Sequence, residues 1–202
     1  KNRPLYLLGG HGPSPEPKYF LKKTQADIVV IGEGEETIKE LMDALVNNKP
    51  LRKVKGIAYR EGDKVVVNQR RSLIKNVDSI LRPAWHLFPV NYYRLIRIGP
   101  HSEKADFLMP VLSGRGCTFE CNFCYRMDTG YRPRSTEAII EEIEILKKDY
   151  RINYIDFLDD LLMTSKERTV SLCEAFLKAK INVKWKCNGR LNYVKKEILK
   201  LM

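Results

Sequence analysis

The chain has 202 residues, 44% hydrophobic and 30% charged, a composition that suits one large or two small globular domains. No apolar run approaches the roughly 18 residues of a membrane span, and no basic-then-apolar leader opens the sequence, so a cytoplasmic protein is expected. The net charge of +11 raises the possibility of a nucleic-acid partner, but the basic residues are scattered among acids, which reads as a solvated surface instead.

The first residues already read as a buried strand. The sequence starts at Lys1, so a piece of a longer chain is expected. "PLYLLGG" (residues 4–10) is a short apolar run closed by two glycines, a strand and a turn. "HGPSPEPK" reads as a Pro-rich loop. "ADIVVIGEGEETIKELMDALVNN" gives a second buried strand, a turn at Gly32 and Gly34, and a helix over about 36–46. That helix is expected to bury Ile38, Leu41, Met42 and Leu45. Strand, loop, strand, helix is the tail of a parallel α/β sheet. "VKGIAYREGDKVVVNQRR" alternates and turns at Gly62-Asp63, a β-hairpin. "LRPAWHLFPVNYY" is expected to be a linker packed between domains.

A new rhythm starts near Met109. "PVLSGRGC" reads as a strand running into a cysteine loop. "STEAIIEEIEILKKDY" is an amphipathic helix with Ser135 as N-cap and Ile139, Ile140, Ile143 and Leu146 inward. "INYIDFLDD" is a strand. "SKERTVSLCEAFLKAK" is a helix with Val170, Leu172, Cys173, Phe176 and Leu177 apolar. "INVKWKCNGRL" is a third strand, and "YVKKEILKLM" starts a third helix. Units of this length and order are those of a parallel sheet or barrel.

The chemistry concentrates in "SGRGCTFECNFCYR", where Cys117, Cys121 and Cys124 occupy eight positions. The other two of the five cysteines, Cys173 and Cys187, stand alone and read as packing residues. This is no disulfide framework; it points to a reducing compartment and a metal. Thiolates favour zinc or iron–sulfur clusters. A closed site wants four protein ligands, so three leave one metal position open for substrate or cofactor. His101, sixteen residues before Cys117, allows a Cys₃His zinc site of unusual spacing. His11 and His86 are the other histidines.

Cys117-x3-Cys121-x-Phe123-Cys124, placed after the first strand of a β/α array, resembles the motif of radical S-adenosylmethionine (SAM) enzymes. The resemblance implies a [4Fe-4S] cluster on Cys117, Cys121 and Cys124. The amino and carboxylate groups of SAM would chelate the fourth iron, and reductive cleavage of a C–S bond would release a 5′-deoxyadenosyl radical. The absent fourth ligand is then the cosubstrate. Gly114 and Gly116 would let the backbone pack close to the cluster, and Phe123 would lie near the adenine. "FLDDLLM" is similar to the second strand of the subfamily that adds a cobalamin-binding domain. There Asp159 and Asp160 would stand near the SAM amino group; helix N-caps are the plainer alternative. In "WKCNGRLNYV", Trp185 and Arg190 are spaced as in that group's third strand. Arg190 would hold the SAM carboxylate, or pair with Asp159 or Asp160.

"LLGGHGPSP" and "DIVVIGEGEETIKEL" resemble the end of the same subfamily's cobalamin-binding domain. Gly9 and Gly10 would let the cobalamin nucleotide tail pass, with Gly32 and Gly34 on the other side; plain βα turns are the alternative. Glu33 and Glu35 at a helix N-terminus would repel a phosphate. The cobalt-ligating "DxHxxG" motif is not present, so weak cobalamin binding by this chain alone is expected.

The resemblance implies an α/β fold in three parts. Residues 1–48 would be the tail of a Rossmann-like cobalamin-binding domain. Residues 49–105 would be a β-hairpin and Pro/aromatic linker. Residues 106–202 would be the first three βα units of a partial TIM-type barrel. It implies an enzyme performing methyl transfer, ring closure or rearrangement on a small-molecule substrate, reduced by a flavodoxin or ferredoxin, with this piece inactive alone. A basic zinc-loop module that binds nucleic acid is the alternative.

Overall fold

The computed structural model describes residues 3–93, 95, 103, 106–125 and 129–202. They fall into two compact units, residues 3–75 with 123–125, and the remainder. No described helix is long and apolar enough to cross a membrane.

The first unit is a mixed four-stranded sheet in the order β1-β2-β3-β4. Strand β1 (Leu7–Leu8) is followed by helix α1 (Pro17–Lys23), strand β2 (Ile28–Val30) and helix α2 (Glu35–Val46). Strands β3 (Ile57–Glu61) and β4 (Lys64–Val67) complete it. Strands β1 and β2 are parallel, with Leu7 opposite Ile28. The hairpin turns at Gly62-Asp63, Gly62 supplying a φ of +59. The hairpin was expected within the connecting segment. Instead β3 lies antiparallel on β2, Val29 opposite Ala58, and joins the same sheet. Burying Ile57, Ala58 and Tyr59 requires an apolar neighbour, and the free edge of β2 offers one.

Helix α1 was read as loop because of its prolines. Pro17 occupies the first turn, where the missing N–H costs nothing. Leu21, fully buried, anchors it. Helix α2 is turned relative to expectation. Thr37, Leu41 and Ala44 face inward, while Ile38 and Met42 are 37% and 47% exposed. The inward small residues fit a close approach to the sheet: a Cβ built on Gly56 would lie 2.8 Å from the Thr37 hydroxyl.

In the second unit, a short helix α3 (Val90–Tyr93) precedes strand β5 (Leu108–Val111). Val90 is buried in this unit's core, with Trp85 and Tyr93 packed against it. The expected single strand into the cysteine loop is two: β5 ends, and β6 (Gly114–Cys117) pairs antiparallel with β7 (Gly130–Pro133). Helix α4 (Thr136–Tyr150), strand β8 (Tyr154–Phe157), helix α5 (Lys166–Lys178), strand β9 (Lys184–Lys186) and helix α6 (Lys196–Leu201) follow. Strands β5, β8 and β9 form one parallel sheet in that order. Ser135 and Ser165 cap α4 and α5, accepting from the N–H groups of Ala138 and Arg168.

Alternation decides which sheet face the helices cover. Met109, Val111, Ile155 and Phe157 pack with Ile139, Ile143, Leu146, Leu172 and Phe176. Phe157 stacks on Phe176 at 6.3 Å and meets Trp185 edge-on at 5.8 Å. Each such side chain contributes about 1.5–3 kcal/mol by leaving water. Leu177, one of the apolar residues of α5, is 64% exposed, because the helical turn carries it past the stripe of Cys173 and Phe176.

Candidate functional site at the strand ends

The parallel sheet of the second unit ends in a polar knot. Just past β5, Ser113 is completely buried. Its N–H donates to both carboxylate oxygens of Asp159, at 3.0 and 2.9 Å, and its hydroxyl donates to one at 2.8 Å. Its carbonyl accepts from the Arg134 N–H at 2.9 Å and from the Arg168 guanidinium at 3.3 Å. Arg134 is half-buried, donating to the Leu112 carbonyl and pairing with buried Glu142. The Asn188 amide, past β9, donates to the Asp159 carbonyl at 3.0 Å. The ends of β5, β8 and β9 are thereby tied together. Burial pushes the Asp159 carboxyl above its usual range, and the bonds from Ser113 oppose that rise.

From this knot the β6–β7 hairpin rises. Two glycines are required by contact. A Cβ on Gly114 would lie 2.6 Å from the Tyr131 hydroxyl and 2.7 Å from its ring. Gly116 has φ +82, and its Cβ would lie 2.2 Å from the Gly130 carbonyl. Cys117 ends β6 half-buried, and Cys121 and Cys124 are exposed. All three thiols are free. Among the described residues no three side chains are gathered as metal ligands. His101 lies outside the described residues, and His11 and His86 are exposed.

The other expected residues separate. Phe123 is 99% exposed. Asp159, expected with Asp160 near a SAM amino group, is buried and accepts from Ser113, whereas Asp160 is exposed. Arg190 pairs with neither aspartate among the described residues. Its guanidinium stacks on Phe119 of the cysteine segment, 3.9 Å from the ring centroid, and Phe119 also meets Tyr193 at 5.8 Å. Cys173 and Cys187 are protonated packing groups. Burial pushes the Cys187 thiol up to about 11, and that of Cys173 up as well.

In the first unit, Gly9-Gly10 and Gly32 follow the C-terminal ends of adjacent parallel strands. Gly10 and Gly32 have φ +89 and +78, and Gly34 caps α2. Buried Ser14 links the two turns: its hydroxyl accepts from the Gly32 N–H at 3.1 Å and lies 3.4 Å from the Val30 carbonyl. Glu33 turns back to accept from the Ile74 N–H at 2.7 Å, which accounts for an acid beside a helix start.

Ser113, Arg134, Arg168, Ser14 and Phe119 went unnoticed in the sequence. Only Ser113, abutting Gly114, and Phe119, between two cysteines, carried a local hint. Across the sheet, Lys186 and Asp156 form another unanticipated ion pair at 2.9 Å.

No family model matches the chain. It is 32% identical over 200 residues to an uncharacterized methyltransferase of Pyrococcus horikoshii, covering 97% of this chain and 42% of that protein. It is 30% identical over 206 residues to the anaerobic magnesium-protoporphyrin IX monomethyl ester cyclase of Cereibacter sphaeroides, covering 97% of this chain and 32% of the cyclase. The chain thus spans less than half the length of these relatives. Its fold matches that of TsrM, a radical S-adenosylmethionine methyltransferase from Kitasatospora setae solved with cobalamin and a [4Fe-4S] cluster, at TM-score 0.74 and 17% identity, over 96% of this chain and 39% of that one. Over nearly its whole length the chain is thus similar to parts of a methyltransferase and a cyclase in sequence, and to part of a radical S-adenosylmethionine methyltransferase in fold.

Proposed function

We propose that this chain is the part of a radical SAM enzyme that holds the iron–sulfur cluster and receives SAM. The observation that carries the reading is the cysteine hairpin, rooted at the C-terminal ends of three parallel strands with Arg190 laid on its Phe119. Such strand ends are where α/β folds put their chemistry. In this reading residues 106–202 are the first three βα units of a partial TIM-type barrel, and residues 1–48 end a Rossmann-like cobalamin-binding domain.

The donor set fits a [4Fe-4S] cluster: three free thiols on one short segment, soft ligands suited to iron and sulfide. Cys117, Cys121 and Cys124 would hold it. The chemistry supplied by such a cluster, when bound and reduced, would be the one electron needed to cleave a C–S bond of SAM. Around it, the chain's own residues position and select. The Ser113–Asp159 knot fixes the hairpin root, Arg190 presents a guanidinium to the SAM carboxylate, and exposed Asp160 is left for its ammonium. Gly9, Gly10, Gly32 and Gly34 would admit the cobalamin nucleotide tail. The open space around Gly10, where an added Cβ meets nothing within 4 Å, supports that role. The whole protein would act on a small molecule in the cytoplasm, by methyl transfer or ring closure, with a flavodoxin or ferredoxin as reductant.

Anaerobic reconstitution tests this. About four irons and four sulfides per chain are expected, with absorption near about 400 nm. Ala at Cys117, Cys121 or Cys124 is expected to abolish uptake; Ala at Cys173 or Cys187 is not. One zinc and no iron, in a colourless protein, would refute the reading. The 202-residue chain is expected to bind cobalamin weakly or not at all, and tight stoichiometric binding would place the missing cobalt ligand somewhere in this chain.

A further inference from the structure

We propose that Phe119 is the positioning residue for Arg190, a ring built into the cysteine segment that aims the guanidinium at a carboxylate. The inference rests on the SAM-binding reading above and assigns a role to a residue that reading does not use. Phe119 stands two residues from Cys117 and two from Cys121. Its ring lies under the Arg190 guanidinium, 3.9 Å from Cζ. Tyr193, in the 3-10 turn that follows Arg190, meets the same ring at 5.8 Å with the planes tilted 58°. One turn, distant from the ring along the chain, thus supplies both contacts to it.

The geometry selects what Arg190 can bind. Stacking occupies the flat face of the guanidinium and leaves its N–H edge available. No hydrogen bond or ion pair from Arg190 to a described residue takes up that edge, and Asp159 is engaged by Ser113. A half-buried, pre-aimed, planar donor fork matches a carboxylate bidentately. The carboxylate-bearing ligand is the amino-acid end of SAM. A flexible arginine would have to be ordered on binding; the ring does that ordering beforehand.

The test uses the anaerobically reconstituted chain and equilibrium dialysis with SAM and with decarboxylated SAM. Phe119→Leu is expected to weaken SAM binding by about three- to thirtyfold, the range of a cation–π contact, while leaving decarboxylated SAM as in wild type. Arg190→Lys is expected to lose SAM to a similar extent, since it keeps the charge and loses the fork. Phe119→Trp keeps a ring and is expected to bind SAM at least as tightly as wild type. Iron content is measured in every variant. If Phe119→Leu loads iron and binds SAM like wild type, or loses both ligands equally, the proposal is overturned. If Phe119→Leu fails to load iron, the loaded Phe119→Trp protein decides, and weakened SAM binding there overturns it. A wild-type chain that takes up no iron or binds no SAM sinks instead the function proposed above.

Discussion

The two units solve one problem with different materials. Each ends a pair of adjacent parallel strands in turns that expose backbone. In the second unit the strand ends are locked by enclosed polar groups: buried Ser113 to buried Asp159, and half-buried Arg134 to buried Glu142. In the first unit they are joined by one serine hydroxyl between glycine turns. Buried ionic networks are costly unless complete, and when complete they fix one arrangement. In the proposed function a cysteine loop with an exposed tip would need a fixed root, and a glycine edge that admitted a ligand beside the backbone would need room, which the absence of side chains supplies.

The sharpest way to break the comparison is the same substitution at two glycines of similar φ. Gly116→Ala must push a Cβ to 2.2 Å from the Gly130 carbonyl, added to the cost of a left-handed backbone. A loss of about 3 kcal/mol or more is expected, with iron uptake abolished. Gly10→Ala has φ +89 with open space around it, so only the conformational cost of about 1–2 kcal/mol remains. Urea denaturation of both variants checks the difference; equal losses would show that the two turns are not distinct.

Glu142→Gln comes next. It takes one charged partner from the half-buried Arg134 guanidinium, which retains Asp78 at 3.7 Å, and a cost of about 1.5–3 kcal/mol is expected. Glu61→Gln removes the carboxylate from Arg52 at 2.5 Å, but both side chains are well exposed, so solvent screening is expected to leave stability almost unchanged. Ser14→Ala then tests the first unit's single clasp. It strands the Gly32 N–H, and about 1 kcal/mol is expected, with faster hydrogen exchange confined to the two glycine turns.

The smallest effect is a pH dependence. Burial holds the Asp159 carboxyl above its unfolded value, so the folded state binds that proton more tightly than the unfolded chain does. The stabilisation from this group is present in full below the unfolded carboxylate pKa, about 3.9. It is lost as pH rises through the raised folded value. Urea midpoints of wild type and Asp159→Asn, followed upward from acid pH, should differ in slope across that window. Parallel curves would show that the Ser113 bonds cancel the burial penalty.

The elements were legible in the sequence wherever one physical rule ruled alone. The apolar stripe of α4 and its Ser135 cap, the Gly62-Asp63 hairpin and the three parallel strands follow from periodicity and turn chemistry. Helix α1 was missed because its prolines look like loop, although a first-turn proline suits a helix. The face of α2 was misjudged because hydrophobicity pointed to Ile38 and Met42, whereas small Thr37 and Ala44 are the residues turned toward the sheet.

At the site, the sequence alone determined which atoms are available: three thiols on one segment, an acid pair after one strand, an arginine after another. Spacing along the chain suffices for that, since the cysteines are neighbours in any fold. Tertiary structure decided what each group does. Asp159 and Asp160 are adjacent in sequence, but the turn after β8 sends one inward to Ser113, 46 residues away, and leaves the other exposed. Phe119 meets Arg190 only because β6 and β9 end on the same side of their unit. Contacts between distant segments are set by strand order and helix packing, which no local pattern of residues encodes.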